Sequence, residues 1–294
     1  MHLTARLAIM SAALAFASPV IGQEQDPGTR PSEIVVTGTR QRDDQVREFV
    51  GALTPATGGS IPRFIEAVCP LVTGLVPAQN EAVITRLREV AVGAAVVVAK
   101  PGCVPNTFVI VTRDKRAFIE MLAKRRPKSF GMMSAREVRS LARSPGPAAA
   151  WQLEGPVNAS GLPLRWDYFF GAYVNNTTET PGRITTVAHR GFDAAALVVE
   201  VGALNGLTPT QLADYAAMRL LAKLDLSRLP ARAPSTILTV LTAPMGALVP
   251  ITITKWDLGF LRGFYASSLN LNPNSQRSQI AGRVIKELSP SEPK

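Results

Sequence analysis

The sequence predicts an α+β protein in which helices pack on a mixed or largely antiparallel sheet, with one disulfide. Three observations lead to this expectation. The 294 residues are 46% apolar and 18% charged, a balance that allows a buried core and excludes general disorder. Segments with helical spacing alternate with short β-rich runs joined by Pro- and Gly-containing turns. The chain contains only two cysteines.

The first 22 residues have the composition of a secretory signal peptide. Arg6 supplies the positive charge, and the apolar stretch over residues 7–21 is short for a membrane span. We therefore expect a periplasmic or secreted protein that starts near Gln23 and keeps no transmembrane segment after cleavage. Beyond the signal we expect a flexible tail over residues 23–42 and a single domain over 43–287. We also expect a subdomain boundary near 144–147 and a disordered tail over 288–294.

Cys69 and Cys103 are expected to form the disulfide, because disulfides persist outside the cytoplasm. The alternative is a nucleophilic or redox-active cysteine, which would need an activating base that the sequence does not reveal. With two Cys and two His, the chain alone cannot build a four-thiolate zinc site, a Cys-ligated iron–sulfur cluster or a three-His zinc site. We expect no metal and no cofactor.

The first half of the domain is predicted to be mainly helical. An apolar helical face, formed by Val46, Phe49, Val50 and Leu53, follows Asp43 and Asp44, which are candidate capping residues for this helix. A second helix is predicted over residues 81–95, and two β runs follow at 95–99 and 107–112. Asp114 is expected to cap a helix that reaches about Arg126. Ser134 and Glu137 match a capping box, which opens another helix that reaches about Arg143.

The second half begins with strands and ends with helices. Beyond Ser144-Pro145-Gly146-Pro147, β runs are predicted at residues 148–153, 164–168, 183–188 and 195–201. Thr208-Pro209-Thr210-Gln211 predicts the start of an Ala-rich helix over 212–224. Residues 251–253 form a short β candidate, and a capping box at Thr254-Lys255-Trp256-Asp257 opens a further helix. A last helix is predicted over 279–287, whereas the apolar stretch 234–244 fits no one type.

The segment between residues 113 and 143 carries most of the excess positive charge of a chain with 32 basic and 22 acidic residues. Such a face attracts an anionic envelope surface, for example lipopolysaccharide phosphates or phospholipid headgroups. The alternative is a solvated cationic face without a partner. Nucleic-acid binding is not expected, because the chain carries an export signal and no readout motif. The expected basic face comprises Arg113, Lys115, Arg116, Lys124, Arg125, Arg126, Lys128, Arg136 and Arg139.

A β-rich segment interrupts the polar N-terminal tail. Its residues are Glu33, Ile34, Val35, Val36, Thr37, Gly38, Thr39 and Arg40. The segment resembles the TonB box of TonB-dependent outer-membrane receptors, and the whole chain is similar to uncharacterised secreted proteins of Gram-negative bacteria. In that receptor family the box adds a strand to the C-terminal domain of TonB, a role that suits β-branched residues. The resemblance implies that TonB or another periplasmic protein binds the segment by strand addition.

The chain departs from the receptor family in one large respect, because it is too short to hold a receptor barrel and plug. The TonB-box-like segment would therefore be attached to a separate domain. The alternative is an N-terminal edge strand or an inert tail.

The order of elements over residues 195–265 is similar to the layout of zincin metalloproteases. The zincin helix carries His-Glu-x-x-His, in which two His bind zinc and the Glu activates water. This chain has Asp214-Tyr215-Ala216-Ala217-Met218 in the corresponding place. The resemblance therefore implies an inactive site, and ordinary core packing is the alternative for this helix.

No catalytic residues are predicted. His189 is the one histidine left after the signal, and the chain has no Gly-x-Ser-x-Gly elbow or phosphate-binding Gly-rich loop. The leading expectation is a non-enzymatic periplasmic or envelope protein that binds a partner through residues 33–40 or through the basic face. The alternatives are a hydrolase with a carboxylate pair that no motif reveals, and an inactive zincin-like domain.

Overall fold

The computed structural model describes residues 31–54, 60–158, 160–175, 188–229, 234–244 and 246–289. The predicted signal peptide, residues 23–30 of the expected tail, residues 183–187 of one expected strand and the end of the C-terminal tail lie outside the described residues. So do the side chains of residues 31–37 and 39. The chain divides into two compact units, Met1–Thr39 and Arg40–Lys294.

The described part of the chain is an α+β protein with seven α-helices. The helices are α1 (Pro31–Leu53), α2 (Pro77–Gly93), α3 (Lys115–Arg125), α4 (Ala135–Ala142), α5 (Pro209–Leu221), α6 (Lys255–Ala266) and α7 (Pro273–Leu288). A 3₁₀ turn, Pro127–Phe130, connects α3 to α4. Among the described residues, no helix combines the length and the apolarity that crossing a membrane requires.

In the described residues, five strands form the main sheet and two form a separate hairpin. The main sheet contains β1 (Arg63–Phe64), β2 (Pro70–Thr73), β3 (Thr107–Thr112), β4 (Ala148–Asn158) and β7 (Ala188–Glu200). The hairpin consists of β5 (Arg165–Asp167) and β6 (Ala172–Val174), which pair antiparallel. It is inserted between β4 and β7 in the sequence.

The long strand β7 organises the main sheet. β4 pairs antiparallel along one edge of β7. β3 pairs parallel with residues 195–200 of β7, and β1 pairs parallel with residues 191–192. β2 adds to β3 in parallel. Within the main sheet, three of the four pairings between described strands are therefore parallel, and the expected mixed or largely antiparallel sheet is wrong. The reason is that β2 reaches β3 through helix α2, and parallel neighbours need such a crossover.

Helices cover both faces of this sheet. Because side chains alternate along a strand, Leu197 and Val199 of β7 enter a large core with α1, α2, α5, α6 and α7. Ala196 and Val198 point to the opposite face and enter a smaller core with α3 and α4. The positive charge predicted for residues 113–143 is thus carried by the helices of the smaller core.

Four helix starts predicted from capping residues are confirmed. The Asp114 side chain accepts a hydrogen bond from the Ala117 amide, and capping boxes form at Ser134, Thr208 and Thr254. The start predicted at Asp43 and Asp44 is wrong, since α1 already begins at Pro31 and both residues lie inside it. The β run predicted at residues 95–99 is wrong, since these residues follow the end of α2 and contribute only an isolated bridge between Val68 and Val98.

The predicted disulfide is confirmed. Cys69 and Cys103 are bonded with an S–S distance of 2.01 Å and a Cα–Cα distance of 6.1 Å. Asn106 supports the bridge: its Oδ1 accepts from the Cys69 amide at 2.7 Å, and its Nδ2 donates to the Ala67 carbonyl at 3.1 Å. The turn before β3 is therefore tied to the start of β2 by a covalent bond and by side-chain hydrogen bonds.

Candidate functional site

The basic face predicted from the sequence is largely exposed. Of its nine predicted residues, eight are exposed on α3, α4 and the segments that flank them. Lys115 is the exception and is buried, with its Nζ donating to the Ser144 carbonyl at 2.5 Å and to the Gly146 carbonyl at 2.8 Å. Burial lowers the pKa of Lys115, although the nearby charge of Glu200 acts in the opposite direction. Lys115 therefore holds the connection to β4 and does not belong to the exposed face.

A groove with a volume of about 440 Å³ runs between α3 and α4. Small-molecule sites typically enclose about 300–1,000 Å³, so the groove can accept a ligand of modest size. Three charged side chains, Glu120, Lys124 and Arg139, line it. The remaining lining is apolar and consists of Ala123, Pro127, Phe130, Met133, Ala135 and Val138.

The sheet holds the groove in place. Phe130, which is buried, stacks on Trp151 of β4 with ring centroids 5.1 Å apart. The indole Nε1 of Trp151 donates to the Ser129 carbonyl at 2.8 Å. The 3₁₀ turn between α3 and α4 is therefore anchored on β4, and the groove rests on the smaller core.

The charges of the groove are unequally compensated. Glu120 accepts from the Nε of Arg116 at 3.0 Å, one helical turn away. In the part of the chain that the structure describes, Lys124 and Arg139 have no ion-pair partner. The groove thus combines an apolar lining with two available cations, the arrangement that a ligand with an anionic end and an apolar body requires.

The TonB-box-like segment, residues 33–40, lies within helix α1. The sequence predicts an extended conformation for it, whereas its backbone is helical here. Gly38 and Arg40 are exposed, and the other side chains of the segment lie outside the described residues. Binding of TonB or another periplasmic protein by this segment stays a prediction.

Two fully buried carboxylates hold the fold together. Asp257 of α6 accepts from Thr236 Oγ1 at 2.5 Å and from the Ile237 amide at 2.9 Å, in addition to its capping bonds with Thr254. Burial raises the pKa of Asp257, and these hydrogen bonds oppose the shift. Asp214 of α5, the first residue of the segment that the sequence analysis compared with the zincin motif, pairs with Arg86. Both carboxylates already have structural partners.

A pair of acids, Asp193 and Glu66, lies elsewhere, on the β1 side of the sheet. Partial burial raises the pKa of Asp193, and the negative charge of Glu66 raises it further. Glu154 of the neighbouring strand β4 is compensated by Lys223 at 2.7 Å and by Arg190 at 3.3 Å. Among the described residues, no group of three or more His, Cys, Asp or Glu side chains is placed to hold a metal ion.

Sequence reasoning missed two features. The groove was missed because its lining comes from α3, α4 and the turn between them, and only their packing creates it. The exposed aromatic side chains of the β5–β6 hairpin were missed, although five of the eight residues from Trp166 to Tyr173 are aromatic. That local density was the available signal.

Comparison with protein-family models, with curated proteins and with solved structures found no match for the chain. Its function therefore has to be inferred from its own residues.

Proposed function

We propose that this chain is an exported, non-enzymatic protein of the bacterial envelope that binds an anionic amphiphile in the groove between α3 and α4. The observation that carries the proposal is the pairing of an apolar lining with two uncompensated cations, Lys124 and Arg139. The apolar chain of the ligand would lie against Phe130, Met133 and Val138. Its phosphate or carboxylate would accept charge-assisted hydrogen bonds from the two cations.

The surrounding charge favours the same class of ligand. Arg113, Arg125, Arg126, Lys128 and Arg136 are exposed on α3, α4 and the segments that flank these helices. Clustered positive charge raises the local concentration of anions and speeds their encounter with a site. An anionic lipid would therefore be attracted to the basic face first and then held by the apolar lining.

Export rests on two independent features. Arg6 and the apolar stretch 7–21 that follows it favour secretion. The disulfide between Cys69 and Cys103 is of the kind that persists in an oxidising compartment. Both features suit a periplasmic or secreted protein. In the bacterial envelope such a protein meets phospholipids and lipopolysaccharide.

Direct binding measurements test the proposal. Dodecyl phosphate and dodecanol share an apolar chain and differ in charge, and both are titrated below their critical aggregation concentrations. Lys124→Gln/Arg139→Gln is expected to weaken binding of dodecyl phosphate on the order of tenfold, because it removes two charge-assisted contacts. Binding of dodecanol should change little. Ala135→Trp, a substitution at an exposed groove position, should reduce the binding of both ligands by filling the groove.

Arg125→Gln/Arg136→Gln is the matched control, since it removes two exposed cations from the same helices without altering the groove lining. This variant should bind dodecyl phosphate nearly as well as the wild type at physiological salt. Equal losses of dodecyl phosphate affinity in the two double variants would contradict a specific site, because they would show that only the overall positive charge matters. Absence of binding by the wild type would refute the proposal.

A further inference from the structure

The hairpin formed by β5 and β6 exposes an unusual concentration of aromatic surface. Tyr168, Phe169 and Phe170 at its tip are 92%, 90% and 69% exposed. Trp166 and Tyr173, paired across the two strands below the tip, are 47% and 51% exposed. Contiguous exposed apolar surface on a folded protein marks a site of interaction with another protein or with a membrane.

The hairpin is built to present these rings. Trp166 and Tyr173 pack edge to face with centroids 5.1 Å apart, and Phe169 and Phe170 do the same at the tip. Gly171 closes the turn with a φ of +59°, which few other residues adopt without strain.

The backbone of the tip has partners of its own. The Asp167 Oδ1 accepts hydrogen bonds from the amides of Phe169 and Phe170 at 2.7 and 3.0 Å. The strands below pair antiparallel along their facing edges. Amides that are already hydrogen-bonded can leave water at low cost, which is a condition for entering a lipid environment.

The base of the hairpin is tied to the main sheet. The Leu164 amide donates to the Pro156 carbonyl of β4 at 2.9 Å, and Val157 forms a bridge with Pro163. The hairpin therefore continues from the end of β4 that lies beyond the groove, since Trp151 anchors the groove earlier on the same strand. The two features can act independently.

The order of side chains along the hairpin indicates what covers it. Phe169 and Phe170 are at the tip, the amphipathic rings of Trp166 and Tyr173 follow, and the exposed Arg165 lies below them. This order matches a section through a bilayer surface, with acyl chains first, then the interfacial layer that Trp and Tyr favour, then the phosphates. A protein-binding surface would instead surround its apolar centre with a polar rim. In the described structure Arg165 has no ion-pair partner and is available to a phosphate.

We infer that the β5–β6 hairpin anchors this protein to a lipid bilayer by inserting Phe169 and Phe170 below the headgroups, with Trp166 and Tyr173 at headgroup level. The inference is separate from the groove, which would take up a single amphiphile. Asp167 is the one acid in the hairpin, and its carboxylate is used to hold the tip amides.

Sedimentation with unilamellar vesicles tests this inference on the full chain. Vesicles of phosphatidylcholine alone and of phosphatidylcholine with phosphatidylglycerol are compared. Phe169→Ser/Phe170→Ser is expected to lower the partition coefficient about tenfold or more for both vesicle types, because two large apolar side chains are lost from the bilayer contact. Leu248→Ser/Ile251→Ser is the matched control, since Leu248 and Ile251 are 104% and 81% exposed elsewhere on the surface. It should partition like the wild type.

Quenching of tryptophan fluorescence by brominated lipids tests whether the hairpin itself enters the bilayer. Wild-type fluorescence should be quenched on binding, and Trp166→Phe should lose most of the quenching. Of the other two tryptophans, Trp151 is buried and Trp256 packs against the large core. Three outcomes would overturn the inference: no partitioning of the wild type into either vesicle, equal partitioning of the two double variants, or unchanged quenching in Trp166→Phe. A wild-type dimer that only Phe169→Ser/Phe170→Ser dissociates, without a change in vesicle binding, would assign the hairpin to self-association.

Discussion

The guanidinium of Arg86 on α2 holds the carboxylate of Asp214 on α5 at two points. Nε lies 2.7 Å from Oδ1, and Nη2 lies 3.3 Å from Oδ2. Oδ2 also accepts hydrogen bonds from Thr252 Oγ1 and from the Ile253 amide, each at 2.6 Å. Asp214 is fully buried, and it joins α2, α5 and the segment that precedes α6.

Arg86→Met is expected to lower the free energy of unfolding by about 2–3 kcal/mol, because it leaves a buried carboxylate without its counterion. Urea denaturation measures this loss. Asp214→Asn added to Arg86→Met should recover part of it, since the amide removes the charge and still accepts from Ile253. Arg283→Met is the control: its bond to Glu287 is more exposed, and the change should stay within about 0.5 kcal/mol. Equal losses at Arg86 and Arg283 would contradict the structural role of Asp214.

Because of Asp193, we expect the free energy of unfolding to fall as the pH rises above the acid range. Its pKa in the folded protein is raised from 3.8, first by burial and then by Glu66. Between the unfolded and the folded pKa the folded state binds more protons, so the free energy of unfolding falls as the pH rises through that window and stays lower above it. Asp193→Asn is therefore expected to stabilise the protein at pH 7 and to have little effect at pH 3.

Chemical denaturation across this pH range checks the Asp193 prediction. Glu48→Gln removes one negative charge from the exposed face of α1 and serves as the control. Its stability curve should run parallel to that of the wild type. A difference between Asp193→Asn and the wild type that does not depend on pH would contradict the prediction.

Ala95 ends helix α2 in a conformation that favours glycine. Its φ is +61°, its amide donates to the Val92 carbonyl, and the Val96 amide donates to the Ala91 carbonyl, each at 2.9 Å. These two bonds form a Schellman motif, which usually has Gly at this position. Ala95→Gly is expected to raise the free energy of unfolding by roughly 0.5–1 kcal/mol, because the relief of left-handed strain exceeds the added entropy of the unfolded chain.

Thermal unfolding of Ala95→Gly can be compared with that of Ala117→Gly. Ala117 is exposed in the first turn of α3, where glycine should lower the stability by roughly 0.5–1 kcal/mol. The same substitution is thus expected to have opposite signs at the two positions. Destabilisation at both would show that Ala95 is not strained.

Gly74 lies where the chain leaves β2 and passes very close to β3. A Cβ at this position would lie 2.0 Å from the Val111 carbonyl oxygen, and φ is +98°. Gly74→Ala is therefore expected to cost about 3 kcal/mol or more, through both a clash and backbone strain. At Gly102 φ is +82° and no atom lies within 4 Å of such a Cβ, so Gly102→Ala should cost only about 1 kcal/mol. Similar losses in urea denaturation at the two positions would contradict the close approach.

The helix starts that could be predicted from sequence depend on residues close together in the chain. Thr208 and Gln211 predict the start of α5 because a capping box needs only four consecutive residues. The disulfide could be predicted because the composition offers one pairing, Cys69 with Cys103. The same local logic overlooked the aromatic residues between Trp166 and Tyr173, whose exposure depends on how far the hairpin extends from the sheet.

Local pattern determined four helix starts and the location of the positive charge, and composition determined the covalent bridge. Tertiary structure decided the direction of the strands, because β3 and β7 are separated by a long stretch of the domain and their β propensity is the same in either orientation. It also decided which basic residues are available, burying Lys115 while leaving Lys124 and Arg139 beside an apolar groove. The physical reason is that charge and propensity belong to single residues, whereas burial and shape arise only when distant segments pack together.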